Sequence, residues 1–347
     1  MSDYPRSVKV WLCIGLFMVF MQIIIGGITR LTGSGLSITK WEIVTGTFPP
    51  LTQDAWNAEF DLYKETPQYE KINRNMSLSK FKFIYFWEYF HRVWARSMGF
   101  VFLFPFLYFW RKGYLDNSLK NRLAITVGLA AVVAVFGWIM VASGLVNRPW
   151  VNAYKLTWHL SLALILYGYL LYVTYKVINR KPRVTDSAIA KPILWILTIL
   201  IVQIMLGGMM SGMRAALSYP TWPDMYGAFI PDVLLQASNW NISNFVMYDS
   251  NTFMPALIQF LHRGVAYILF IAIALFSFIQ LKRSLPAHLR NGTIFMLLVC
   301  ILQMILGIIT VILSKGMIPV LWGVLHQGVA IILLSSVLYL IFSVKKS

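Results

Sequence analysis

Charge is scarce in this chain. Only 12% of its 347 residues are charged, and acidic side chains number 13. A soluble domain of this length needs far more polar surface, which excludes a water-soluble globular protein. Cysteine is nearly absent. Cys13 and Cys300 both lie inside apolar runs, and neither lies in a polar connection. That excludes a disulfide framework, and the two thiols read as small core hydrophobes. An Arg/Ser-rich transit peptide is missing. The first apolar run lacks a small-residue cleavage site and is followed by seven more, so it reads as a retained span and not a signal peptide.

Apolar sequence fills the space that charge vacates, at 58% of the chain. An apolar run of about 18 residues or more is long enough to cross a bilayer as a helix. Eight such runs occur, at 9–28, 84–109, 123–146, 156–175, 193–213, 256–281, 293–314 and 318–343. The expected fold is an all-α integral membrane protein with eight transmembrane helices. The formal charge of +17 does not mark a nucleic-acid-binding face, because it is spread over short loops. Loops 110–122, 176–191 and 282–290 carry Arg111, Lys112, Lys120 and Arg122, then Lys176, Arg180, Lys181, Arg183 and Lys191, then Lys282, Arg283 and Arg290. The short loops of the opposite side carry Arg148, Lys155 and Lys315. The positive-inside rule places the rich loops, and with them both termini, in the cytoplasm. The bacterial cytoplasmic (inner) membrane is the expected location.

The chain repeats itself. Gln22, Gly26, Gly27, Leu36, Ser37, Trp41, Gly46, Phe48 and Pro50 recur 181 positions later as Gln203, Gly207, Gly208, Leu217, Ser218, Trp222, Gly227, Phe229 and Pro231. His91-Arg92 recurs as His262-Arg263, Gly137 as Gly307, Val141 as Val311 and His159 as His326. Identity at a near-constant offset marks a duplicated unit. Each unit has four spans, so both enter the membrane the same way. This predicts two parallel four-helix bundle repeats about a pseudo-twofold axis along the membrane normal, over 1–180 and 181–347. The glycine-rich ends of the first and fifth spans serve either close helix packing or helix termination.

Four histidines lie near the starts of the even spans, which places them at one depth in the outer leaflet: His91, His159, His262 and His326. They form two pairs, 68 and 64 residues apart. A single intramembrane histidine is commonly a hydrogen-bonded packing residue. Two pairs in matching positions instead suit axial ligation of two heme irons, one per unit. Zinc or copper usually takes three or four close protein ligands. His288, in a basic loop, is expected to be solvated. Arg92 and Arg263 follow their histidines and are propionate-pairing candidates, or else snorkel to headgroups. The units differ at Glu88, one helical turn before His91, where the second unit has Gln259. A carboxylate at that depth is costly. It suits a base or a stabiliser of positive charge in a catalytic first unit, or an ion pair with Arg92 or Arg96. The second unit reads as a redox or structural heme site. The long segments 29–83 and 213–255 read as functional covers.

At these residues the chain resembles the heme A synthase family. The stretches that carry the resemblance are GGITRLTGSGLSITKW, GTFPPLTQDAW, NRNMSLSKFKFIYFWEYFHR, GWIMVASGL, YPTWPDM and the four histidines. It resembles the branch without a cysteine pair in the first outer loop, although Lys40 and Gln68 stand where relatives are often acidic. The resemblance implies oxidation of the C8 methyl group of heme O to the formyl group of heme A for cytochrome oxidase. It implies that His91 and His159 ligate the substrate heme, that His262 and His326 ligate a resident heme b, and that Glu88 is the catalytic carboxylate. It also implies supply by heme O synthase, an electron acceptor whose identity the sequence leaves open, a lipid bilayer but no nucleic acid as surroundings, and it admits a homo-oligomer. A di-heme cytochrome b-type quinol oxidoreductase would use the same histidines without needing Glu88. A transporter for heme or another hydrophobic anion would need no bound low-spin heme.

Overall fold

The computed structural model describes residues 4–39, 48–142, 149–179 and 183–345. Lys40, Trp41, Gly46, the end of the GWIMVASGL stretch, Arg148, Arg180 and Lys181 lie outside the described residues. Among those described, eight helices are long and apolar enough to cross a membrane. The chain divides into two compact units, Met1–Val177 and Ile178–Ser347.

The first unit holds four long helices: α1 (Arg6–Leu31), α4 (Leu78–Arg111), α5 (Asn117–Ala142) and α6 (Ala153–Ile178). Two short helices, α2 (Gln53–Lys64) and α3 (Pro67–Lys71), lie between α1 and α4. Each of these four long helices overruns its apolar run at one end or both, because polar caps and not hydropathy set helix ends. Ser77 begins α4 by accepting from the Lys80 N–H at 3.3 Å. Asn152 accepts from the Tyr154 and Lys155 N–H groups ahead of α6.

Pro105 interrupts the hydrogen-bond ladder of α4. It has no N–H to give the carbonyl of Val101, and an unpaired carbonyl in a membrane costs several kcal/mol. The Trp11 indole of α1 supplies the missing donor at 3.0 Å. The Trp11 ring also lies 4.9 Å from that of Phe102 and 5.4 Å from that of Phe109.

The second unit holds α7 (Ser187–Gly212), α10 (Phe253–Leu281), α11 (Ala287–Ile312) and α12 (Val320–Ser343). The short α8 (Asp232–Leu235) and α9 (Ile242–Val246) lie in its long connection. Here Pro192 leaves the carbonyl of Ala188 without a helical donor, and Gln280 of α10 donates to it at 3.0 Å. One feature departs from an all-helical expectation. Val184–Thr185 (β1) pairs in parallel with Val344–Lys345 (β2). The pairing satisfies backbone groups just outside two helix ends, where hydropathy carries no signal. Cys300 is buried, but Cys13 is exposed on the outer face of α1 and so is not a core residue.

The first long connection is anchored on α4 by aromatic packing. Phe60 and Tyr63 of α2 stack on Phe81 at 4.9 and 5.1 Å, and Trp56 meets Tyr85 at 5.0 Å. This cover explains why α4 starts before its apolar run. A polar chain runs beneath it: Asn73 donates to the Tyr63 hydroxyl, Tyr63 donates to Gln68, and Gln68 donates to the carbonyl of Gly33. Burial pushes the Tyr63 phenol up to about 12, so it keeps the proton that it donates.

Candidate functional site

Each of the four histidines rests against a glycine of a neighbouring helix in its own unit. A Cβ on Gly26 would stand 3.2 Å from Cε1 of His91, and one on Gly207 would stand 3.3 Å from Cε1 of His262. The other pair is tighter: a Cβ on Gly137 or Gly307 would approach Cε1 of His159 or His326 to 2.9 Å. Gly26 and Gly207 lie inside helices that continue past them. Close packing therefore explains them and helix termination does not. Glutamines line the same faces. The Gln22 amide nitrogen is 3.2 Å from Nε2 of His91, and Gln203 and Gln303 each lie 3.4 Å from Nε2 of His262 and His326.

In the second unit the rings of His262 and His326 lie near each other, with centroids 6.4 Å apart and planes nearly perpendicular at 81°. A centroid separation of this order is what two imidazoles bonded to one metal ion at about 2 Å each would have. Nδ1 of His159, His262 and His326 is buried without a hydrogen-bond partner. Buried polar atoms are seldom left unpaired, and an imidazole nitrogen in a dry setting is suited to a metal. Among the described residues no group of three or more His, Cys, Asp and Glu side chains forms a metal cage. In the second unit His262 and His326 stand close together, and two imidazoles are a donor set that would suit a six-coordinate heme iron.

The four histidines do not all lie in the first two turns of their helices. His159 and His326 are each the seventh residue of their helices and His262 is the tenth, but His91 is the fourteenth of α4. The early start of α4 under the aromatic cover accounts for the difference. His288 is half-buried in the first turn of α11, not fully solvated, and stands apart from the four.

Glu88 is only 3% exposed. Its carboxylate lies against the connection that follows α1. Oε2 accepts from the Ser37 N–H at 2.7 Å, the Ser37 hydroxyl at 2.8 Å and the Ile38 N–H at 3.0 Å. Oε1 pairs with Arg92 at 2.5 Å. Glu88 and Arg92 thus form the ion pair that is the alternative to a catalytic role. Ser37 and Ile38 are partners that the spacing of the histidine motif did not reveal. The only sequence signal for them was the recurrence of Leu36-Ser37 as Leu217-Ser218.

Gln259, the counterpart of Glu88, is fully buried and donates to the carbonyl of Tyr219 at 2.8 Å. Arg263 donates to the carbonyls of Tyr219 and Asp224 at 2.8 and 2.9 Å. The first connection thus offers N–H groups to a carboxylate, whereas the second offers carbonyls to an amide and a guanidinium.

A family model described as COX15-CtaA, cytochrome oxidase assembly protein, matches residues 9–338. The chain is 38% identical over 338 residues to a heme A synthase of Flavobacterium psychrophilum, covering 96% of this chain and 97% of that one. It is 38% identical over 332 residues to a heme A synthase of Agrobacterium fabrum, covering 95% and 88%. Against a heme A synthase of Flavobacterium johnsoniae the identity is 37% over 351 residues, with both chains fully covered.

Proposed function

The chain belongs to the COX15-CtaA family of cytochrome oxidase assembly proteins, and from that premise we propose how its two units divide the work of a heme A synthase. It is a multi-pass membrane oxidoreductase that converts heme O to heme A. In our reading the duplicated units insert in parallel, with both termini in the cytoplasm of a bacterial cell. The first unit, 1–180, receives heme O through His91 and His159. The second, 181–347, retains a heme b through His262 and His326. The observation that carries this division is the contrast between Glu88 and Gln259 at matched positions beside matched histidines.

When bound, heme b supplies one-electron redox chemistry, and its ligand set sets its potential. The remaining work falls to the chain. His91 and His159 orient the substrate, and the glycines behind them fix how far each ring stands from its helix. Glu88 is the carboxylate that takes a proton, or stabilises positive charge, as the C8 methyl group is oxidised. Gln259 lacks that capacity. Arg92 and Arg263 stand next to the ligands, where a guanidinium can pair with a propionate. No cysteine lies in either long connection, which supports placing the chain in the branch without the cysteine pair. Supply by heme O synthase, delivery towards cytochrome oxidase, an electron acceptor and homo-oligomer formation belong to the same reading.

The test is heme extraction and mass analysis on purified protein made alongside a heme O source. Wild type should yield heme b together with heme O or heme A. His262→Ala and His326→Ala should lose the heme b, and Glu88→Gln should keep both hemes yet form no heme A. Unchanged heme b in both histidine variants, or full heme A production by Glu88→Gln, would overturn the division.

A further inference from the structure

We propose that Ser37 is a positioning residue for the oxidation, acting as a latch that holds the first long connection to the Glu88 carboxylate over the substrate site. The proposal rests on the assignment of Glu88 to the reaction. Three donors from two consecutive residues converge on one oxygen, and two of them belong to Ser37: its backbone N–H at 2.7 Å and its hydroxyl at 2.8 Å. The hydroxyl has a single hydrogen. Its other acceptors are the carbonyls of Ser34 at 3.0 Å and Ile84 at 3.3 Å. The carboxylate is the shortest contact and the charge-assisted one.

Ser37 itself is fully buried, as are Ser34 and nearly all of Leu36. Water is therefore shut out of the latch, and in that setting a misplaced donor is not replaced by solvent. With Oε2 held by the connection and Oε1 by Arg92, both the rotation and the depth of the carboxylate are fixed. Among the described residues the second unit has no equivalent latch: Gln259 makes one bond, in the opposite sense, to the carbonyl of Tyr219.

The latch also changes what Glu88→Gln reports. An amide offers one acceptor oxygen where the carboxylate offers two, so that variant disturbs the connection as well as the charge. Ser37→Ala removes the hydroxyl and leaves the carboxylate intact. Conversion of a methyl to a formyl group passes through the alcohol level, and a loosened cover lets the alcohol escape before the second oxidation. The latch therefore predicts a change in product partition and not only in rate.

The experiment compares wild type, Ser37→Ala, Ser37→Thr, Ser34→Ala and Glu88→Ala as full-length protein, with heme O as substrate. It measures the hydroxymethyl and formyl hemes and the occupancy of both hemes. Ser34 bonds within the connection, its hydroxyl lying 2.6 Å from that of Thr32, so it serves as the control for loop structure. Ser37→Ala should raise the alcohol-to-formyl ratio about tenfold, as expected for loss of one charge-assisted hydrogen bond. Heme occupancy should stay at wild-type level. Ser37→Thr should restore the ratio, and Ser34→Ala should match wild type. A wild-type ratio in Ser37→Ala, or an equal change in Ser34→Ala, overturns the latch. Full heme A formation by Glu88→Ala would instead overturn the assignment of Glu88 beneath it.

Discussion

Glycine beside each imidazole makes the histidine site sensitive at positions that never touch a ligand. The added methyl of Gly137→Ala or Gly307→Ala would lie 2.9 Å from a histidine carbon, closer than real Cβ contacts come. The ring must then rotate or the helices must part, and overpacking of this kind costs about 1–3 kcal/mol. Gly26→Ala and Gly207→Ala, at 3.2 and 3.3 Å, ask for only a few tenths of an ångström. Gly307→Ala should therefore lose most of the low-spin heme b absorbance of purified protein, while Gly207→Ala should keep most of it. Equal heme retention in the two variants would show that the glycines do not set the stand-off of the rings. The histidines themselves were legible in the sequence because their spacing repeats. The environment of Glu88 was not, since Ser37 is 51 positions away and the pairing depends on how the first connection folds back onto α4.

Helices α4 and α7 each contain a proline within a membrane span, and each uses the same remedy for the carbonyl it strands. The stranded carbonyl lies four residues before the proline, and its donor is a side chain of another helix, Trp11 for Val101 and Gln280 for Ala188. Hydropathy located the spans and gave no hint of this pairing, because the information lies in tertiary contact. The helix ends differ from the ends of the apolar runs for a related reason: caps such as Ser77 and Asn152 are polar and sit beyond the apolar run. Trp11→Phe keeps an aromatic ring against Phe102 and Phe109 but withdraws the donor. It should cost about 1–2 kcal/mol of stability in detergent, a little more than an average hydrogen bond. Pro105→Ala restores a backbone N–H to Val101, so the same substitution should cost less in that background. Thermal unfolding of the four proteins forms a double-mutant cycle, and additive costs would mean that the indole is not the partner that matters.

Across the whole molecule, two sequence features point to the same topology by separate routes. Basic residues concentrate in the connections α4–α5, α6–α7 and α10–α11, at Arg111, Lys112, Arg183, Lys282 and Arg283 among others. Duplication of a four-span unit independently leads us to expect that the two units enter the membrane in the same sense, because an even number of crossings returns the chain to its starting side. The eight long helices and the division of the chain at Val177 and Ile178 are compatible with both. The charge rule alone is weak for the two long connections, since long segments cross largely regardless of charge. For them the proposed side follows from the parity of the spans. Reporter fusions in the 112–116 and 282–286 connections and after residue 345 should therefore be active only as cytoplasmic enzymes. Fusions in 213–252 and 313–319 should be active only as exported phosphatase. A phosphatase-active fusion at 112–116 would invert the first unit, and with it the side from which the Ser37 connection covers the site. A split result, with one unit inverted relative to the other, would break the parallel repeat and remove the basis for matching Glu88 with Gln259.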